Sequence, residues 1–160
     1  MLLKVFFQYK RMDTIYLGSD HAGLRLKTKL VEWLRKSGFN VVDVGPFSYD
    51  KDDDYPEYAE IVSRAVVKNK AKGILICGSG QGMDRAANKI MGVHASVCWD
   101  EESAFIAKTH GDVNVLCLGE RFVKPSLAKK IVGIWIRVPF SMEDRHIRRI
   151  AKIRKLEGRH

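Results

Sequence analysis

Short apolar segments alternate five times with segments of helical periodicity along most of the chain. The third of them, residues 73–77, carries Ile and Leu side chains that point to both faces of a strand. A strand that is apolar on both faces is typical of a parallel sheet covered by helices on both sides. The alternation therefore predicts an α/β fold, a single-domain three-layer α/β/α sandwich around a five-stranded parallel Rossmann-like sheet. The length of 160 residues suits one domain of this kind.

The bounds of the predicted elements follow from local periodicity and from the residues that begin and end each element. The strands are predicted at residues 14–18, 39–44, 73–77, 94–98 and 115–118. The helices are predicted up to residue 37, from residue 56 onwards, and at 83–90, 101–109, 126–137 and about 143–155. Gly38 is predicted to end the first helix and Asp54 to cap the second. Periodicity does not indicate the order of the strands in the sheet.

Composition favours a globular chain with an anionic partner. Lys and Arg total 28 against 19 Asp and Glu, which favours either nucleic acid or a small phosphorylated substrate. No apolar run reaches the ~18 residues of a membrane-spanning helix, and no secretory cleavage site follows the N-terminal segment. Cys77, Cys98 and Cys117 form no CxxC pair, which argues against a zinc site or a disulfide framework. We therefore expect a cytoplasmic protein, with Cys98 and Cys117 as inert core residues.

The most informative motif is the glycine-rich segment that follows the third predicted strand. Cys77 is followed by Gly78, Ser79, Gly80 and Gln81-Gly82, so the backbone can approach a ligand closely. The backbone amides of this segment, together with the N-terminus of the next helix, favour the binding of an anion. They would also favour the thiolate form of Cys77. The spacing GxGxG after the third strand differs from the dinucleotide-binding fingerprint. A tight turn beside a buried cysteine is the alternative reading of the same residues.

Further polar residues are predicted at one edge of the sheet, where ligands of such folds bind. Asp20-His21 follows the first strand, and the segment beginning at Asn114 accompanies the fifth. His110 ends a helix, and Arg145 and Arg149 lie one turn apart on another helix, where they could clamp a phosphate. Each feature also has an ordinary structural interpretation, as a hydrogen-bonded turn, a helix C-terminus or a solvated helix face.

Six motifs in one order resemble a known family. They are GSDHAG at 18–23, DYPEYA at 54–59, ILICGSGQGM at 74–83, AANK at 86–89, NVLCLGER at 114–121 and RHIRRI at 145–150. This arrangement resembles the RpiB/LacAB family of sugar-phosphate isomerases, from about residue 13 to residue 152. The resemblance implies an enzyme that interconverts ribose 5-phosphate and ribulose 5-phosphate through a cis-enediolate, with no metal or organic cofactor.

The resemblance also implies a role for each matching residue. Cys77 matches the family's base, while Ser79 and the amides of the loop match its oxyanion site. His110 with Asp20 matches the pair that opens the sugar ring. The residues expected to bind the substrate or its phosphate are His21, Tyr55, Gly78, Gly80, Gly82, Asp112, Arg121, Arg145 and Arg149.

Family members form dimers with shared active sites, so we expect a homodimer or a tetramer. On this basis residues 1–12 are an extension or an upstream start, and residues 13–142 are the isomerase α/β domain. Residues 143–160 are a basic C-terminal helix and tail of the same domain that reaches the partner subunit. The resemblance implies neither a membrane nor a nucleic-acid partner, and the basic tail has no interleaved aromatic residues.

Three departures from the family pattern leave the choice of sugar open. Asp84-Arg85 replaces a small polar and an aliphatic residue, Gly111 replaces Asn, and residues 141–144 lack the usual glycine. Asp84 is either a favourable acid in a first helical turn or an auxiliary base. The alternatives are a six-carbon substrate, allose 6-phosphate or galactose 6-phosphate, and a non-catalytic module that binds sugar phosphate or nucleic acid.

Overall fold

A computed structural model describes residues 13–158; residues 1–12, predicted to be an extension or an upstream start, lie outside the described residues, as do 159–160. The sheet has five parallel strands in the order β2-β1-β3-β5-β4. The strands are β1 Thr14–Ser19, β2 Asn40–Asp43, β3 Lys72–Cys77, β4 Ala95–Val97 and β5 Val115–Gly119. The helices are α1 Leu24–Lys36, α2 Tyr55–Asn69, α3 Gln81–Ala87, α4 Glu101–Gly111, α5 Pro125–Arg137 and α6 Asp144–Glu157.

Two apolar clusters on opposite faces of the sheet confirm the predicted three layers. Ile74 and Ile76 of β3 pack with residues of α1, α4 and α5, whereas Leu75 and Cys77 pack with residues of α2 and α3. Successive side chains of a strand point to opposite faces, so the apolar run of β3 supplies both clusters. Cys77 therefore lies at the end of the central strand, on the face covered by α2 and α3.

Three helix ends can be compared with their predictions: the end of α1 agrees, whereas the cap of α2 and the end of α3 differ. Gly38 has a φ of 88°, and the amide of Phe39 donates to the carbonyl of Leu34, so Gly38 ends α1 as predicted. Asp54 occupies the position before α2, but its side chain makes no capping hydrogen bond there. The predicted third helix ends early, at Ala87, because the Asn88 side chain exchanges two hydrogen bonds with the backbone of Ala95 instead.

All three cysteines are buried and free. Burial raises the pKa of the Cys98 thiol to about 11 and that of the Cys117 thiol well above its ordinary value. Both are therefore unreactive core residues, as predicted. Among residues 13–158, no helix combines the length and the apolar character needed to cross a membrane.

A buried ion pair joins α1 to the end of β2. The ammonium group of Lys27, only 1% exposed, lies 2.5 Å from Oδ1 of Asp43. Replacing Lys27 by methionine is expected to lower the free energy of unfolding by about 3 kcal/mol, because the Asp43 carboxylate loses its counter-charge. Urea denaturation measures the effect. The control is Lys36→Met, whose exposed partner is Glu32 and which should cause no measurable change; equal effects would contradict the prediction.

Candidate active site

The strand order places three polar segments side by side at the carboxyl ends of β1, β3 and β5. The amide of Asp20 donates to the carbonyl of Ile76, and the amide of Arg121 donates to that of Gly78. Asp20, Cys77 and Arg121 therefore meet at one edge of the sheet, which we call the carboxyl rim. This is the edge at which parallel α/β sheets bind ligands.

The glycine-rich loop, residues 78–82, folds back over the end of Cys77. The amide of Gly80 donates to Sγ of Cys77 at 3.1 Å, so the sulfur lies against a fixed N–H dipole. Gly80 has a φ of 80°, which disfavours a side chain at this position. A Cβ at Gly119 would lie 2.6 Å from the carbonyl oxygen of Ser79, so the loop also requires glycine on β5.

Two large side chains lie directly on this loop. A Cβ at Gly78 would be 2.9 Å from Cζ of Arg121, and one at Gly82 would be 2.8 Å from the ring of Tyr55. The glycines thus allow a guanidinium and a phenol ring to approach the backbone. An exposed arginine beside a cluster of backbone amides is suited to bind an anionic ligand.

Asp20 and His21 belong to the turn between β1 and α1. Asp20 is 7% exposed, and its carboxylate accepts a hydrogen bond from the amide of Gly23. Burial raises the pKa of this carboxyl above its ordinary value, and the Gly23 hydrogen bond only partly opposes the shift. Nδ1 of His21 lies 2.6 Å from Oδ1 of Asp53, in the loop between β2 and α2.

Asp20, His21 and Asp53 form the only group of three among residues 13–158 whose ligand atoms lie close enough to hold a metal ion. Their potential ligand atoms lie within 4.8 Å of one another. The contact between Nδ1 and Oδ1 is a hydrogen bond, so these two atoms already satisfy each other. The arrangement is that of a hydrogen-bonded polar cluster.

Four of the predicted site residues lie at the opposite edge of the sheet, the amino rim. Helix α4 leaves the carboxyl end of β4 and returns to the start of β5, so His110, in its last turn, lies at the amino rim. The His110 ring lies against that of the buried His146, with centroids 4.2 Å apart. Asp112 pairs there with Lys108.

Both predicted phosphate-binding arginines of α6 are exposed. Arg145 pairs with Glu143, and Arg149 lines a groove together with His110 and Gly111. The start of this segment is attached to α4, because the amide of Ser141 donates to the carbonyl of Thr109. Helix α6 thus belongs with His110 at the amino rim.

One chain therefore does not bring all thirteen predicted site residues together. The five residues of β5 separate the two rims by roughly 16 Å. At the carboxyl rim lie Asp20, His21, Tyr55, Cys77, Gly78, Ser79, Gly80, Gly82 and Arg121. The expectation that the segment beginning at Asn114 lies at the carboxyl rim is wrong for Asn114 itself, which precedes β5 and binds the amide of His94.

Three polar residues at the two rims were not predicted from the sequence: Asp53, Glu120 and His146. Asp53 lies in the acidic run 50–54, in the loop that follows β2 at the carboxyl rim. Glu120, in the motif NVLCLGER, accepts a hydrogen bond from the amide of Leu26 through Oε2. His146 lies within RHIRRI, where its ring bonds Ser141 and packs on His110.

Asp84 lies in the first turn of α3, as its position in the sequence predicted. Its carboxyl group is half-buried against the backbone of Val97 in β4, and burial raises its pKa above the ordinary value. Its role as an auxiliary base stays a prediction.

The sequence and the fold match those of known proteins. A family profile described as Ribose/Galactose Isomerase matches residues 15–153. A probable ribose-5-phosphate isomerase B from Mycoplasma genitalium is 47% identical over 145 residues, covering 89% of this chain and 95% of that protein. Ribose-5-phosphate isomerase B from Escherichia coli is 41% identical over 149 residues, covering 92% and 99%.

Solved structures give the same result. A crystal structure of ribose-5-phosphate isomerase B from Mycoplasma genitalium with bound ribulose-5-phosphate has a TM-score of 0.89 and 44% sequence identity. The match covers 95% of this chain and all of that one. The type B ribose 5-phosphate isomerase of Trypanosoma brucei has a TM-score of 0.86 and 40% identity, over 91% of this chain and 99% of that one. The chain therefore belongs to the ribose/galactose isomerase family.

Proposed function

We propose that this protein is an aldose–ketose isomerase that interconverts ribose 5-phosphate and ribulose 5-phosphate. The observation that carries the proposal is the thiol of Cys77, which lies against the amide of Gly80 beside the exposed Arg121. A base, amide donors and a cation for an anionic group are what this reaction requires. Relatives that cover nearly all of the chain carry this activity in their names, and one is solved with ribulose-5-phosphate bound.

In the proposed reaction, His110 and Asp20 exchange protons with the ring oxygen and the anomeric hydroxyl, which opens the sugar. The thiolate of Cys77 then takes the proton from C2, while negative charge develops on the oxygen at C1. The Ser79 hydroxyl and the amides of the glycine-rich loop stabilise this cis-enediolate. The proton returns from sulfur to C1, and a hydroxyl proton moves from O2 to O1, so atoms and charge balance without a cofactor.

Assembly as a homodimer, or as a tetramer built from such dimers, is part of the proposal. Ring opening requires His110 beside Asp20, yet these residues lie at opposite rims of one chain. Two copies could bring the amino rim of one, with residues 143–160, against the carboxyl rim of the other. Exposed apolar side chains on α4 and α6 support such a contact: Phe105, Ile106, Ile147 and Ile153.

The proposal includes a cytoplasmic location. A thiol base has to stay reduced, and the three cysteines of the chain are free. Reducing compartments maintain this state.

The substrate is tested by isomerisation assays of the purified protein with ribose 5-phosphate, allose 6-phosphate and galactose 6-phosphate. We expect kcat/KM for ribose 5-phosphate to exceed that for each six-carbon sugar by at least about tenfold, since discrimination by pocket size reaches that order. Higher kcat/KM with a six-carbon sugar would identify that sugar as the substrate. Absence of turnover with all three, in a folded protein, would favour a non-catalytic binding protein.

A further inference from the structure

One oxygen of Asp53 binds two groups of His21. Oδ1 accepts the backbone amide of His21 at 3.0 Å and lies 2.6 Å from Nδ1 of the same residue. The two residues are 32 positions apart and belong to different loops. Because both bonds converge on one atom, they fix the backbone and the ring of His21 relative to the same carboxylate.

The surroundings of Asp53 favour a positive charge on His21. The Asp53 side chain is 8% exposed, and its Oδ2 is buried without a hydrogen-bond partner. Among the ion pairs of residues 13–158, only the one with His21 involves Asp53. The imidazolium is therefore the counter-charge of a buried carboxylate.

The titratable groups that face His21 are all acidic. They are Asp20 from the end of β1, and Asp50 and Asp53 from the loop before α2, with the ring of Tyr49 edge-on at 5.6 Å. The hydrogen bond to Asp53 is the largest cause that raises the pKa of His21, and the charges of the three carboxylates act in the same direction. The ring thus keeps its charge to a higher pH than an ordinary histidine.

The loop that carries Asp53 is attached to the core at its start. The carbonyl of Gly45 accepts a hydrogen bond from the amide of Ser19, and the amide of Gly45 donates one to the carboxylate of Asp43. That carboxylate is paired with Lys27. At the other end of the loop, Asp53 lies two residues before the start of α2. The position of the carboxylate is therefore fixed by packed elements at both ends of the loop.

We propose that Asp53 is a positioning residue, which holds His21 as an imidazolium so that Nε2–H donates to an anionic oxygen of the sugar phosphate. The inference rests on the proposed isomerase function and adds a residue to it. With Nδ1 bound to Asp53, Nε2 is the one ring nitrogen left for a ligand. A charge-assisted hydrogen bond to phosphate is stronger than a neutral one.

The test is Asp53→Asn, which keeps the size of the side chain and removes its charge. We expect the KM ratio, the KM of the variant for ribose 5-phosphate divided by that of the wild type, to be near 1 at about pH 5.5 and about 10 at about pH 8. The kcat should change little. At the lower pH an ordinary histidine is already charged, so the carboxylate adds little. Asp53→Glu retains the charge and should recover part of the affinity at high pH.

The matched control is Asp52→Asn, which removes the same charge from an exposed neighbouring residue of the loop. It should leave the KM ratio flat across this pH range. A flat ratio for Asp53→Asn, or an equal pH-dependent rise for Asp52→Asn, would overturn the proposal, because either result indicates a purely structural role or a general effect of loop charge.

A second measurement does not depend on activity. NMR titration of the histidine rings in the ligand-free protein, with His21 assigned from the His21→Asn variant, should show a lower pKa for His21 in Asp53→Asn than in wild type. An unchanged titration would overturn the inference even in an active enzyme. Absence of isomerisation by the wild-type protein would instead refute the proposed function, and the titration would still decide whether Asp53 holds the charge on His21.

Discussion

Replacing Cys77 by alanine is expected to lower kcat for ribose 5-phosphate by about 10³-fold, the usual effect of losing a general base. Alanine has no group that can take the proton from C2, and the neighbouring amides cannot replace it. The Gly80 amide also loses its sulfur acceptor. KM should change much less, because the groups proposed to bind the phosphate stay in place. Steady-state assays of ketose formation separate the two parameters.

The matched control for this substitution is Cys98→Ala. Cys98 is buried like Cys77 and directly follows β4, but burial raises the pKa of its thiol to about 11, and it lies outside the glycine-rich loop. Removing it should leave kcat within about twofold of wild type, because an unreactive core thiol takes no part in the chemistry. High residual activity in Cys77→Ala would assign the base to another group. Asp84→Asn is then the next variant, since burial raises the pKa of this carboxyl above its ordinary value.

A heterodimer of two inactive variants, Cys77→Ala and His110→Ala, is expected to be active. Cys77→Ala damages the carboxyl rim and His110→Ala damages the amino rim, so each homodimer has two defective sites. A heterodimer combines the intact carboxyl rim of one chain with the intact amino rim of the other. One of its two sites is then complete, and about half of the wild-type activity per dimer should return, as two-fold symmetry requires. Co-expression with two different tags and purification through both provides the heterodimer.

The control pairs Cys77→Ala with Asp20→Asn, because both substitutions damage the carboxyl rim. In that heterodimer neither site is complete, and activity should stay at the level of the single variants. Recovery in this control would show that activity returns without a complete shared site, and it would invalidate the interpretation of the first heterodimer. A heterodimer of Cys77→Ala and His110→Ala without recovery would contradict the shared site, and His110 would then need a different role.

Much of the fold could be predicted from the sequence, because the relevant signals are local. The apolar run 73–77 indicated a strand buried on both faces, and the structure places its alternate residues in two apolar clusters. Gly38 ended the first helix because only glycine readily adopts its left-handed backbone conformation. The loop after Cys77 was likewise visible as glycines in a fixed spacing. These features depend on residues that are close together in the chain.

The sequence by itself thus determined the elements, the glycine-rich loop and the family to which its motifs belong. The tertiary structure alone decided the strand order β2-β1-β3-β5-β4, and with it which polar residues meet. It separated His110 and Arg149 from Cys77 by the length of β5, because α4 runs back along the sheet before it ends. It also joined Asp53 to His21 across 32 residues. Contacts of this kind form when distant segments pack against a common core, and no local periodicity encodes them.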